Sequence, residues 1–144
     1  MLASLVFGAA VAGTAQASQL WVWSYRGPGV TASGTFTTGD AAKADGFHEI
    51  TGIKGEENGV PITGLTPTGA SIPGNAGYPV DNLVRSRGPR LTKHGFAFSL
   101  ANGAYANPFY GAHFSKPGYY AFLSGPAAGR TREPPVKFTA AVAR

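Results

Sequence analysis

HEITGIKGEENGVPITGL, residues 48–65, contains Ile-Thr-Gly twice, with Asn58 and Gly59 between the two copies. A type I′ turn needs positive φ at both central residues, and asparagine and glycine tolerate it best. The stretch therefore predicts a β-hairpin in which a glycine lies opposite each isoleucine and leaves room for it. The predicted opposed pairs are Glu57 with Val60, Gly55 with Ile62, and Ile53 with Gly64.

The acidic centre of this hairpin is Glu56-Glu57. Neighbouring residues of a strand point to opposite faces, so these two carboxylates cannot act as a catalytic pair on one substrate atom. We therefore assign both to a solvated turn, in preference to a calcium site or an acid–base role.

Short apolar runs separated by glycine and proline continue along the chain, which has 21 glycines and 11 prolines in 144 residues. Helical spacing is limited to about one turn, at residues 40–46. Besides the two arms of the hairpin, the strand candidates are residues 19–27, 30–38, 95–100, 107–114, 118–124 and 135–142. The pattern predicts an all-β fold, an antiparallel meander of about eight strands that forms a barrel or a two-layer sandwich.

The first seventeen residues, MLASLVFGAAVAGTAQA, are apolar and uncharged and end in Ala15-Gln16-Ala17. This small-x-small ending predicts a signal peptide cut before Ser18, although the usual basic start is missing. The run is shorter than the roughly 20 residues of a spanning helix, so we expect no stable membrane span after cleavage. Residues 18–144 then form a single all-β domain without cysteine, secreted to the medium or periplasm of a bacterium.

Several motifs follow one another along the chain: WSYRG at 23–27, ASGTFTT at 32–38, the hairpin at 50–65, DNLV at 81–84, PRLTKHGFAFSL at 89–100 and the tyrosine-rich end. In this order they resemble segments of secreted bacterial proteins of the PEP-CTERM type. The resemblance implies export and association with an exopolysaccharide-producing envelope, and it implies no particular activity. The C-terminal sorting tail of that family is not found in this sequence.

Aromatic residues are concentrated in the first strand and in the last third of the chain. Trp21, Trp23 and Tyr25 alternate and so share one face, while Leu20 and Val22 make the other face apolar too. This pattern favours core packing over a platform for sugars. The same assignment covers seven further rings, with some tyrosine hydroxyls at the rim: Tyr105, Phe109, Tyr110, Phe114, Tyr119, Tyr120 and Phe122.

Motifs for catalysis or cofactors are not found, and His48, His94 and His113 lack metal-ligand spacing. We therefore expect no catalytic residue, no cofactor and no metal, and we favour a non-enzymatic binding or structural domain. Two alternatives stay open: a β-barrel that holds a small ligand in an interior cavity, and a secreted polysaccharide-active enzyme.

The clearest candidate site is a basic cluster in the long aperiodic loop that begins at Thr66. The candidate anion-binding residues are Arg85, Arg87, Arg90, Lys93 and His94. Arginine forks suit bidentate contact with oxyanions, whereas a solvated loop is the structural alternative. We predict that an acidic exopolysaccharide docks on residues 78–94. Nucleic acid is not expected, because export removes it and no aromatic platform accompanies the basic loop.

Overall fold

A computed structural model gives the fold and describes residues 18–40, 42–126 and 130–144. The predicted signal peptide, residues 1–17, lies outside the described residues. Within them the chain forms ten β-strands and one 3₁₀ turn at Ala44–Gly46, and it has no helix of the length and apolarity that a membrane crossing requires. The strands are β1 (Gln19–Gly27), β2 (Val30–Thr38), β3 (His48–Glu57), β4 (Val60–Leu65), β5 (Leu83–Val84), β6 (Phe98–Leu100), β7 (Tyr105–Gly111), β8 (Gly118–Ser124), β9 (Thr131–Arg132) and β10 (Pro135–Val142).

Eight of these strands form a closed antiparallel barrel. Each strand pairs with the next in the order β1, β2, β3, β4, β6, β7, β8, and β10 pairs with both β8 and β1. The two closing contacts are Val136 with Tyr119 and Trp21 with Val142. The predicted all-β meander is therefore confirmed, and of the two forms left open the structure has the barrel. The short strands β5 and β9 are additional to the ring and pair with β3 and β8.

The barrel interior is filled by aromatic rings. Trp21, Trp23 and Tyr25 on β1 are at most 1% exposed, which confirms that they belong to the core. The ring of Trp23 stacks on Phe36 with a centroid distance of 5.3 Å and meets Phe96 edge-on at 5.6 Å. Burial of each such ring stabilises the fold by up to about 1.5–3 kcal/mol.

The outward face of β1 is not covered, although it is apolar. Leu20 and Val22 are 50% and 55% exposed, so only one face of this strand is in the core. The reason is the closed barrel, in which inward and outward residues alternate and a strand needs a further layer to bury its second face.

The turn of the hairpin is as predicted, but its arms separate early. Asn58 and Gly59 have φ of 49° and 79°, and Glu57 faces Val60. The ladder then continues for one more pair, Glu56 with Pro61, and contains neither predicted glycine–isoleucine pair. It stops there because Gly55, with φ of 147°, departs from the regular strand conformation.

The glycines of β3 therefore serve a different contact from the one predicted. Gly55 faces Gly34 of β2. A Cβ atom on Gly55 would lie 2.1 Å from the carbonyl oxygen of Ser33, and one on Gly34 would lie 1.8 Å from that of Lys54. Glycine is required at both positions by the close approach of two backbones, and not by the bulk of an isoleucine.

The long aperiodic loop covers the outer face of β6, β7 and β8. In this cover loop, residues 66–82, Ile72 and Val80 are buried and pack with Ala97 against the outward rings of Tyr105 and Phe122. The next segment, residues 83–92, closes one end of the barrel, and its Val84 and Leu91 belong to the interior core. We call the other end of the barrel the mouth.

Strand alternation divides the seven C-terminal rings between the two sides of the barrel wall. Tyr110 and Tyr119 pack against the interior core. Tyr105 and Phe122 pack under the cover loop, and the remaining three rings form an outer group. The assignment of all seven to one core is therefore corrected, because neighbouring positions of β7 and β8 face opposite sides. The members of the outer group are Phe109, Phe114 and Tyr120.

Candidate functional site

The predicted basic cluster is divided between two places. Arg85 and Arg90 lie on the segment that closes the barrel end, where Arg85 donates from Nε to the carbonyl of Pro89 at 2.7 Å and covers the ring of Phe47 at 4.5 Å. Arg90 donates from its guanidinium to the carbonyl of Gly88. Arg87 is exposed on the same turn. Arg85 and Arg90 are thus positioned by contacts close to their own turn, and none of the three arginines is among the residues that line the groove described next.

Lys93 and His94 line a groove on the outside of the barrel, which we call the outer groove. It has a volume of about 610 Å³ and runs between residues 74–78 of the cover loop and residues 111–114 at the end of β7. Tyr78, 64% exposed, and Phe114, 37% exposed, are among its lining residues. The groove thus combines two members of the predicted site with accessible aromatic rings.

The aromatic side of the groove is a packed group of rings. Phe114 contacts Phe109 at 5.6 Å and Tyr120 at 4.4 Å between ring centroids. Phe109 is 8% exposed and supports the more exposed Phe114. Phe114 is thus held in place by neighbouring rings while 37% of it stays exposed in the groove.

Charged and titratable groups line the same groove. Besides Lys93 and His94 they are His113 and Glu133. Desolvation raises the pKa of the Glu133 carboxyl. No three His, Asp or Glu side chains come close enough to hold a metal ion in the part of the chain that the structure describes.

Asn107 holds the walls of the groove together. It is 2% exposed, and its Nδ2 donates to the carbonyls of Phe96 at 2.8 Å and His94 at 3.1 Å. Its Oδ1 accepts from Nδ2 of Asn75 in the cover loop at 3.2 Å. One buried side chain on β7 therefore positions both the loop wall and the backbone of His94.

The mouth of the barrel holds a second feature, the Glu57 carboxyl. Glu57 is 7% exposed, and its Oε1 accepts a hydrogen bond of 2.7 Å from the hydroxyl of Tyr25. The assignment of Glu57 to a solvated turn is therefore wrong, whereas Glu56 on the opposite face is exposed as expected. The register already contained this signal, because Glu57 shares its face with Ile53, Gly55 and Val60.

Burial is the main influence on both groups of this pair. Desolvation raises the pKa of Glu57, while the Tyr25 hydrogen bond and the charge of Arg132 act in the lowering direction. Desolvation and the neighbouring carboxylate raise the pKa of Tyr25 well above its ordinary value. The phenol therefore stays a hydrogen-bond donor to Glu57 at neutral pH.

A cavity of about 650 Å³ opens at the mouth beside Glu57. Val60, Leu100 and Leu123 give it an apolar wall, and Arg130 and Arg132 lie on its rim. The guanidinium of Arg132 donates to the carbonyls of Pro28 and Gly29, each at 3.0 Å. These residues come from strands far apart in the sequence, so no local motif indicates the cavity.

Fold and sites together define a closed antiparallel β-barrel with an outer groove and a mouth cavity. Comparisons of the chain with protein-family models, with curated proteins and with solved structures find no match.

Proposed function

We propose that this protein is a secreted, non-enzymatic bacterial β-barrel domain that binds an acidic exopolysaccharide in the outer groove. The observation that carries the proposal is the presence of exposed Tyr78 and Phe114 in one groove with the ammonium group of Lys93. The imidazoles of His94 and His113 line the same groove as further hydrogen-bonding groups, and so does the carboxyl group of Glu133. Sugar rings present C–H faces that pack on aromatic faces, and uronate or sulfate groups attract cationic side chains. The PEP-CTERM-like sequence motifs support the proposal, because that resemblance implies export to an exopolysaccharide-producing envelope.

The groove replaces most of the basic loop as the proposed contact surface. Arg85 and Arg90 are engaged with backbone carbonyls of their own turn, and of the three arginines only Arg87 is exposed. Lys93 and His94 follow directly after that turn and lie in the groove. The polymer is therefore proposed to run along the groove, and the arginines contribute long-range attraction at most.

Affinity electrophoresis in gels that contain polygalacturonate tests this proposal, with neutral dextran as the comparison polymer. We expect retardation by polygalacturonate only, weakening as salt shortens the screening length from about 10 Å at 0.1 M to about 3 Å at 1 M. Tyr78→Ala and Lys93→Ser should each reduce retardation several-fold. Arg87→Ser is the matched control, because it removes an exposed cation outside the groove.

Two results would contradict the proposal. One is equal loss of retardation in Arg87→Ser and Lys93→Ser, which would indicate attraction by net charge alone. The other is unchanged retardation in Tyr78→Ala, which would remove the aromatic contact from the site.

A further inference from the structure

We infer that the mouth of the barrel is a second binding site, which takes a small zwitterion with an ammonium group, a carboxylate and a short aliphatic body. This inference is independent of the proposed function, because it is built on a buried carboxyl group and not on cationic side chains of the outer groove, and it concerns different residues. It depends on three observations: an unpaired buried carboxyl, a cavity next to it, and guanidinium groups on the rim of that cavity.

The first observation is that Glu57 has no cationic partner in the described ranges of the chain. The one salt bridge found there joins Lys43 and Glu49 at 3.9 Å. Arg132, which is close enough to influence Glu57, directs its guanidinium to two backbone carbonyls instead. A buried carboxylate without a counter-ion is costly, and a ligand that brings an ammonium group would remove that cost.

The second observation is the orientation of the Glu57 side chain. Tyr25 lies two strands away on β1, in register with Glu57 through Ala32 of β2, and its hydroxyl donates to Oε1 and thereby fixes the carboxyl group. No hydrogen bond to Oε2 comes from the residues that the structure describes, and Glu57 lines the mouth cavity. Tyr25 therefore acts as a positioning residue, and the remaining oxygen of Glu57 is available to an N–H donor.

The third observation is the composition of the cavity wall above Glu57. Its volume of about 650 Å³ lies within the range of small-molecule sites, about 300–1,000 Å³. Val60, Leu100 and Leu123 offer contact to a short aliphatic chain. Arg130 and Arg132 on the rim would repel a simple amine, and Glu57 would repel a simple acid, so a zwitterion complements both ends.

Isothermal titration calorimetry of the full chain with three matched probes tests the inference. The probes are L-leucine, 3-methylbutylamine, which lacks the carboxylate, and 4-methylpentanoate, which lacks the ammonium group. We expect leucine to bind at least about tenfold more tightly than either analogue, because only leucine pairs with both charges.

Two substitutions test which charged end of the ligand each residue binds. Glu57→Gln keeps the size of the side chain and its acceptor for Tyr25, and it should weaken leucine about tenfold without weakening 4-methylpentanoate. Arg130→Ser, at an exposed position that should not affect folding, should weaken leucine binding without weakening 3-methylbutylamine binding, because the amine loses only a repulsion. A thermal unfolding scan of each variant separates loss of binding from loss of the fold.

The inference is overturned if none of the probes shows saturable binding, if leucine binds no more tightly than the amine, or if both variants bind leucine as the parent protein does. The two proposed sites are distinguished by assaying the variant of each site for binding at the other site. Tyr78→Ala should retain leucine binding, and Glu57→Gln should retain retardation by polygalacturonate, so failure at one site leaves the other result intact.

Discussion

The interior of the barrel and the cover loop on its outside are both buried, but different interactions hold them. Inside, aromatic rings pack on one another, as Trp23 does on Phe36. Outside, a few apolar side chains are combined with the buried asparagines Asn82 and Asn107, whose amides donate to backbone carbonyls. Alternation along the strands therefore specifies the interior, whereas a small number of hydrogen bonds specifies the cover.

Asn82 shows how the cover differs. It has φ of 53°, a conformation that asparagine tolerates better than most residues, and is 1% exposed. Its Nδ2 donates to the carbonyl of Thr66 at 2.8 Å and to Oγ1 of Thr68 at 3.2 Å. Side-chain hydrogen bonds thus replace the strand ladder where the chain has no regular structure.

The largest effect is expected from emptying the interior at Phe96. This ring is fully buried and contacts four other rings, so Phe96→Ala leaves a cavity that its rigid neighbours cannot fill. We expect the free energy of unfolding to fall by about 3–5 kcal/mol, measured by urea titration. Tyr78→Ala, at an exposed ring, is the control and should change it by less than about 0.5 kcal/mol. Similar values for the two variants would remove the contrast between interior and surface.

A smaller loss is expected from the cover when its main polar contact is removed. Asn107→Ala leaves the carbonyls of His94 and Phe96 without this donor, which should cost about 1–3 kcal/mol of unfolding free energy. Amide hydrogen exchange should speed up in residues 94–97 more than in β1. Asn102→Ala is the matched control, because Asn102 is exposed and accepts from the amide of Ala104 within its own turn. Uniform acceleration along the chain would mean that cover and barrel unfold as one unit.

A third comparison concerns the polar group that lies inside the barrel, Glu57. Burial raises its pKa, so the folded protein binds this proton at a higher pH than the unfolded chain does, and stability contributed by Glu57 increases as pH falls. This contribution changes over the pH range from the raised pKa of Glu57 in the folded protein down to about 4.5, its ordinary value. Tyr25 and Arg132 are the groups that face Glu57, and the raised pKa of Tyr25 keeps its phenol uncharged across this range.

Glu57→Gln lacks this titration, and the other carboxyl groups are common to both proteins. In urea titrations at fixed salt, the unfolding free energy of the parent protein minus that of the variant should therefore increase as the pH is lowered from 7 to 4. A constant difference across that range would show that Glu57 has an ordinary pKa in the folded state.

The smallest effect is expected at the closed end of the barrel. Arg85→Ser removes the contact with Phe47 and the hydrogen bond to Pro89, which should cost about 0.5–1 kcal/mol. Arg87→Ser removes an exposed side chain of the same type and should cost nothing measurable. Thermal midpoints of the two variants give the comparison, and equal midpoints would show that Arg85 is as free as Arg87.

Sequence patterns were sufficient to locate the eight barrel strands to within about three residues, and to predict the Asn58-Gly59 turn, because both signals are local. The short strands β5 and β9 were not predicted, and the strand expected at 107–114 lies at Tyr105–Gly111. Closure into a barrel was not predictable in the same way, since it depends on β10 pairing with β1 and β8 at once. The role of Gly34 and Gly55 was also missed, because the contact between them joins two hairpins.

The sites show the same division between local and distant contacts. Lys93 and His94 were predicted as anion-binding residues from a run of basic residues, and they lie in the outer groove. Tyr78, at the start of the predicted docking loop, lies there as well, but Phe114 and His113 were not associated with it. The mouth cavity was missed, since its residues come from several hairpins. Strand alternation did place the side chain of Glu57 on the same face as Ile53 and Val60, which is the inward face.

The pairing of β1 with β10 also sets the order in which the chain can fold. Arg26 pairs with Lys137, and the other partners in that ladder are further apart in the sequence. Such a contact forms late, because the entropy of closing a long loop must be overcome before the ladder stabilises anything. Until then β1 and β8 are open edges that can pair with another chain, so the rate of this last step determines how long the newly made protein is prone to aggregate.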